Sequence, residues 1–163
     1  MNILDTRDLN KRLEELQSLK QALEDAREEL AEHQAMPRPV SDADDADQEP
    51  DFSESVQDAY DNETESLESA IASAESEFDE DAREELAELE NLESEISDWR
   101  HGETMIPESD FEEYAMQYAD DVGAIDSSAS WPLNCIDWKQ AAGELAMDYT
   151  TVTYQGTDYY VRA

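Results

Sequence analysis

From Glu54 to Trp99 the apolar residues Val56, Tyr60, Leu67, Ile71, Ala74, Phe78, Ala82, Leu86, Leu89, Leu92, Ile96 and Trp99 recur mostly at steps of three or four. That spacing predicts one long helix with an apolar seam, thinned by alanine at 74 and 82. Nearly everything off the seam is acidic. Between Ser41 and Asp98 the chain carries 24 carboxylates and a single cation, Arg83. Bringing like charges together costs self-repulsion, so a chain that concentrates them on one element is expected to use the field they make. A continuous helix from Glu54 to Asp98 would extend roughly 68 Å at about 1.5 Å per residue. The 23 net negative charges from Ser41 to Asp98, spread over roughly 68 to 80 Å of helix and linker, then fall about one per 3 Å, within a factor of about two of the one per ~1.7 Å of B-form DNA. A short acidic run is usually only a solvated, solubilising face. This one persists for nearly sixty residues.

The whole chain follows the same bias. Its 45 acidic residues face 10 Lys and Arg, a formal charge of −35 over 163 residues. Direct binding to nucleic acid or to an anionic membrane is thereby disfavoured, and the expected partners are basic proteins or basic clefts. A single cysteine, Cys135, allows no internal disulfide and fits a reducing cytosol. Charges at Asp5, Arg7, Asp8, Lys11 and Arg12 interrupt any apolar run near Met1, and no stretch is long and apolar enough to span a bilayer. The expectation is a soluble protein of the cytoplasm, in a bacterial host cell.

Residues from about Asp5 to His33 read as a first helix capped by Asp5 or Thr6. Leu9, Leu16, Leu23 and Leu30 repeat every seven residues, with Leu13 at the offset position and Lys20 and Arg27 as its weakening successors. Those two cations can lay their stems along the seam and reach toward a facing acidic helix. Prolines 37, 39 and 50 then mark a mobile linker over 36–53. Within it the run Asp42–Asp47 lacks the central glycine and the terminal glutamate of a calcium loop.

Past Trp99 acids thin, aromatics gather and turn residues appear. Ser109 and Glu112 suggest a capping box for a helix over Asp110–Val122, with Phe111, Tyr114, Ala115, Tyr118 and Val122 inward and Gly123 as its stop. A further helix over Asp137–Met147 turns Trp138, Ala141, Ala142 and Leu145 inward. Thr150–Tyr154 and Tyr159–Arg162, around Gln155 and Gly156, read as a β-hairpin packed on those helices. The expected fold is therefore mainly α: an antiparallel two-helix coiled-coil hairpin (1–98), then a small α+β domain of two helices and a β-hairpin (99–163).

Signs of catalysis are weak. Cys135 has no second cysteine and His33 and His101 stand at no ligand spacing, so a buried or half-buried structural thiol and a loop histidine are expected. Carboxylate pairs are too abundant here to indicate acid–base chemistry, and no phosphate loop, serine elbow or zinc-helix motif occurs. No catalytic residue, metal or cofactor is expected. Among Trp131, Trp138, Tyr149, Tyr154, Tyr159 and Tyr160 most should be core. Tyr159 and Tyr160 point to opposite faces of a strand, so one of them is a candidate exposed contact.

The text FEEYAMQYADDVGAI (Phe111–Ile125), IDWKQAAGELAMDYTTV (Ile136–Val152) and YYVR (Tyr159–Arg162) resembles the C-terminal part of ArdA-type antirestriction proteins, over about a third of the chain. The likeness implies a phage or mobile-element protein that imitates DNA and occupies the DNA groove of a type I restriction-modification enzyme. The family's other domains are absent, and the helical hairpin stands in their place.

Charge and likeness together lead to the expectation of a non-enzymatic DNA mimic that blocks a basic, DNA-binding defence complex. Its contact residues are expected to be Asp79, Glu80, Asp81, Glu84, Glu85 and Glu88 on the long helix, and Glu112, Glu113, Asp120 and Asp121 on the small domain. A second copy of the chain is a further expected partner. The alternatives are a coiled-coil adaptor whose acids serve solubility only, and a chaperone of basic proteins that binds promiscuously.

Overall fold

The computed structural model describes residues 2–37, 52–126, 131 and 133–162. Most of the expected linker, and all of Asp42–Asp47, lie outside them. Helices dominate: α1 (Thr6–Ala35), α2 (Phe52–Glu77), α3 (Glu80–Glu95), α4 (Phe111–Asp121) and α5 (Trp138–Leu145). Four strands, β1 (Leu4–Asp5), β2 (Thr104–Pro107), β3 (Tyr149–Tyr154) and β4 (Thr157–Arg162), form one antiparallel sheet in the order β1-β2-β4-β3. The mainly helical class with a small antiparallel sheet is as the sequence predicts. Two compact units are present, residues 15–84 and residues 1–14 with 85–163, and their boundaries fall within α1 and α3.

In the unit of residues 15–84, α1 and α2 run antiparallel, since Arg27 meets Glu75 while His33 meets Tyr60 and Thr64. The α1 seam differs from its expected register. Leu19, Ala26 and His33 accompany Leu16, Leu23 and Leu30 inward, whereas Lys20 and Arg27 are exposed. An i+3 partner to each heptad leucine satisfies the 3.5-residue repeat; the i+4 positions swing outward. Arg27 nevertheless reaches across as expected, its Nη2 lying 2.6 Å from Glu75 Oε1.

The single long helix expected from Glu54 to Trp99 is broken at Phe78–Asp79. Ala74, Phe78, Ala82 and Leu86 stand at three successive steps of four, each of which turns the seam about 40° past a full turn. The interruption resets that drift. Asp79 starts the new helix, its Oδ1 accepting the Ala82 N–H at 2.9 Å as an N-cap does. Phe78 is buried, with the Arg83 guanidinium 5.5 Å from its ring centre.

In the other unit the sheet is covered on both faces. On one lie Met105, Val152, Tyr154, Tyr159 and Val161, all buried, with Ile96 beside Val152 and Val161 and Glu88 accepting the Gln155 N–H. On the other, Ile106 and Tyr160 pack with Phe111, Ala115 and Ala142 of α4 and α5. Tyr160 therefore packs against Phe111, ring centres 4.4 Å apart and the rings tilted by 48°, and neither Tyr159 nor Tyr160 is exposed. The expected hairpin forms with a two-residue turn, Gln155 and Gly156 both at positive φ, the primed geometry that suits the strand twist. It is widened by β2 and β1, whose four and two residues show too little alternation to be read from sequence.

Two neighbouring details tie residues far apart in sequence. Asp5, not Thr6, caps α1, its Oδ1 accepting the Arg7 N–H at 2.8 Å. Thr6, 0% exposed, donates from Oγ1 to the Trp99 carbonyl and accepts the Glu103 N–H. Gly102 follows at φ 96° with Arg7 packed against it, where a side chain would collide with the guanidinium. The capping box is replaced: residues Glu108–Asp110 form a 3-10 turn into α4, and the Ser109 hydroxyl bonds Asp110. Gly123 stops α4 as expected, but Val122, its C-cap, is exposed. Asp137 caps α5 through the Gln140 N–H.

Candidate acidic interaction surface

Helix α2 contains no lysine or arginine. Its seam of Tyr60, Thr64, Leu67, Ile71, Ala74 turns inward, and one step round the helix Asp58, Asp61, Glu65, Glu68 and Glu75 are all exposed. Spacings of three, four, three and seven put these five on one flank, about one carboxylate per 5.4 Å turn apart from the gap at Ala72. A single strand of B-form DNA sets a phosphate about every 3.4 Å of axis. Among the stripe's acids, Glu75 is met by Arg27. Glu63, on the other flank, lies 3.7 Å from His33 Nδ1.

The expected contact residues divide between the units. Asp79, Glu80, Asp81 and Glu84 belong to the first and are exposed, Asp79 with one oxygen committed to capping α3. In the second, Glu85 is half-buried and bonded in bidentate fashion by Arg12, with Nη2 2.8 Å from Oε2. Its charge is thus met inside the unit and adds least to an outward field. Glu88 is exposed and touches the Gln155 N–H. Glu112 and Glu113 are exposed in the first turn of α4, where the positive helix end favours them, and Asp120 and Asp121 are exposed at its last. Met116 lies between the two pairs, also exposed. Glu112 lines a shallow cavity of about 260 Å³ with Glu108, Lys139, Phe111 and Tyr160.

The α2 stripe is absent from the residues singled out by sequence, although the lack of any cation from Phe52 to Glu77 is a signal for it. Several of the cations are drawn into pairs. Arg7 bonds Asp5 and holds its carboxyl down at about 2, Lys11 bonds Asp8, and Arg100 bonds Glu93. Asp110 is likewise held below the usual carboxylate range, first by the Asn2 N–H. Burial, with Glu85 and Glu88 nearby, pushes the Tyr154 hydroxyl above its ordinary value. Burial and the Tyr114 hydroxyl do the same to Tyr149.

Cys135, expected at least half-buried, is exposed. His33 is 5% exposed, its Nε2 3.0 Å from Thr64 Oγ1 and its ring stacked on Tyr60. His101 ends a 3-10 turn, Trp99–His101, closed by Gly102. Among the described residues no three His, Cys, Asp or Glu converge as a metal site, and no helix is long and apolar enough to cross a membrane. No protein family, curated protein or solved structure matches the chain.

Proposed function

We propose that this chain is a DNA mimic that inhibits a bacterial DNA-binding defence complex by occupying its basic DNA site. The observation that carries the reading is the exposed stripe Asp58, Asp61, Glu65, Glu68 and Glu75 on a helix without a single cation. Carboxylates at this pitch would stand opposite lysines and arginines that otherwise hold phosphates, and the long-range field of a −35 chain would speed association. Glu80, Asp81 and Glu84 add to the carboxylates of the same unit, and in the other unit Glu88 on α3 and Glu112, Glu113, Asp120 and Asp121 on α4 offer further ones. Asp79 and Glu85, committed within the fold, rank last. A restriction-modification enzyme is the target suggested by the likeness of the C-terminal segment to ArdA-type proteins. The protein would act in the cytoplasm, without cofactor or catalysis.

Capture from bacterial lysate at about 0.05 M salt tests this, with a repeat at about 0.5 M. The retained protein should be basic, should be lost at high salt and should be lost to competing duplex DNA. The variant Asp58→Asn, Asp61→Asn, Glu65→Gln, Glu68→Gln should capture it more slowly. The adaptor reading draws on Met36 and Val56, which are exposed, and on Leu67 and Ile71, which are half-buried. It requires Val56→Ser to abolish capture while the charge variant leaves it intact.

A further inference from the structure

In the β3–β4 hairpin the pair Tyr154↔Thr157 flanks a two-residue turn. Hydrogen-bonded and open pairs alternate along an antiparallel ladder, so Thr150, Val152 and Tyr154 face β4 with their backbone groups. Tyr149, Thr151 and Thr153 turn theirs away. Because the sheet order ends on β3, those groups point off its edge. The Tyr149 N–H is taken by the Ala146 carbonyl. The N–H and C=O of Thr151 and Thr153 meet no partner among the described residues.

Natural edge strands are guarded by lysine, proline, a bulge or extreme shortness. This one has six residues, Tyr-Thr-Thr-Val-Thr-Tyr, and none of those guards. It also lacks any charged residue, in a chain where 34% are charged. A basic partner is drawn to the carboxylate surfaces and has no charge to meet here. Another copy of the chain is repelled almost everywhere else.

We propose that β3 pairs with β3 of a second copy, antiparallel about a two-fold axis through Thr151, joining two four-stranded sheets into one. The outward positions 149, 151 and 153 are symmetric about that centre, so Thr151 faces Thr151 and exchanges both backbone bonds, while Tyr149 faces Thr153 and accepts the Thr153 N–H, its own N–H staying with the Ala146 carbonyl. Threonines set directly opposite add a favourable cross-strand contact.

The sign of the salt response separates this contact from partner capture: two like-charged chains associate more strongly as salt rises. Sedimentation of the full chain should show a shift from one chain toward two between about 0.05 and 0.5 M salt. Thr151→Pro removes only an outward N–H, which an edge strand tolerates, and should stay at one chain with an unchanged far-UV spectrum. Hydrogen exchange on the unaltered chain gives a reading that does not depend on that variant folding. The Thr151 and Thr153 amides should slow as protein concentration rises at high salt, while the already paired Val152 amide should not change. One chain at every salt and concentration, a dimer that survives Thr151→Pro, or edge amides indifferent to concentration would each overturn the proposal.

Discussion

Residues 15–84 carry 24 acidic against four basic residues, whereas residues 1–14 with 85–163 carry 21 against six. The first unit leaves its α2 seam half-buried at Tyr60, Leu67, Ile71 and Ala74. The second closes apolar layers on both faces of its sheet and buries none of its Lys and Arg ion pairs in the core: Arg12, Arg100, Arg7 and Lys11 hold acids that are half-buried or exposed. The difference teaches how such an acidic chain folds at all. A sheet covered on both sides supplies apolar burial enough to tolerate its acids, while the hairpin accepts a thinner seam and keeps an exposed carboxylate stripe.

The largest effect that could break this comparison comes from its two seams. Leu89, 0% exposed, should cost about 2–5 kcal/mol on truncation to alanine. Half-buried Leu67 should cost about 1–2 kcal/mol when Leu67→Ala removes part of its buried area. Denaturant titration of both variants reads the contrast, and equal losses would erase it. Next in size is Thr6→Val, which strips the Trp99 carbonyl and the Glu103 N–H of a buried partner and should cost about 1–3 kcal/mol by the same titration.

Salt should act on the two units unequally. Each adjacent like-charged pair along α2, such as Asp61 and Glu65, opposes the helix by about 0.2–0.5 kcal/mol, and screening relieves it. Amide exchange in α2 should therefore slow between about 0.05 and 0.5 M salt more than exchange in β4. The smallest signature is alkaline. Tyr149 and Tyr154 have folded values raised above the ordinary 10. Their contribution is thus fully present below pH ~10 and is lost as pH rises past it, because the unfolded chain deprotonates first. Phenolate absorbance should show two late tyrosines whose ionisation coincides with loss of the sheet's circular dichroism, while the α1–α2 hairpin signal changes less.

Local signals in the sequence were enough for the hairpin turn at Gln155–Gly156, the Gly123 stop and the inward faces of α4, save Val122, and α5, because each depends on residues a few positions apart. The break at Phe78 was also visible in principle, in the three steps of four and in an aspartate placed to cap Ala82. Pairing of Leu4 with Met105 and the Thr6 bonds to Trp99 and Glu103 join residues about a hundred positions apart, and no local pattern encodes them. Of the surface, charge density was legible in composition. Its organisation into a stripe required the seam's direction, which fixes what lies one step round the helix.

Titrating duplex DNA into the complex of this chain with its captured partner tests mimicry most directly. Displacement should be complete and competitive, with a midpoint that scales with the concentration of the acidic chain and moves in favour of DNA for the Asp58, Asp61, Glu65 and Glu68 variant. A stable assembly holding partner, duplex and acidic chain together would contradict it.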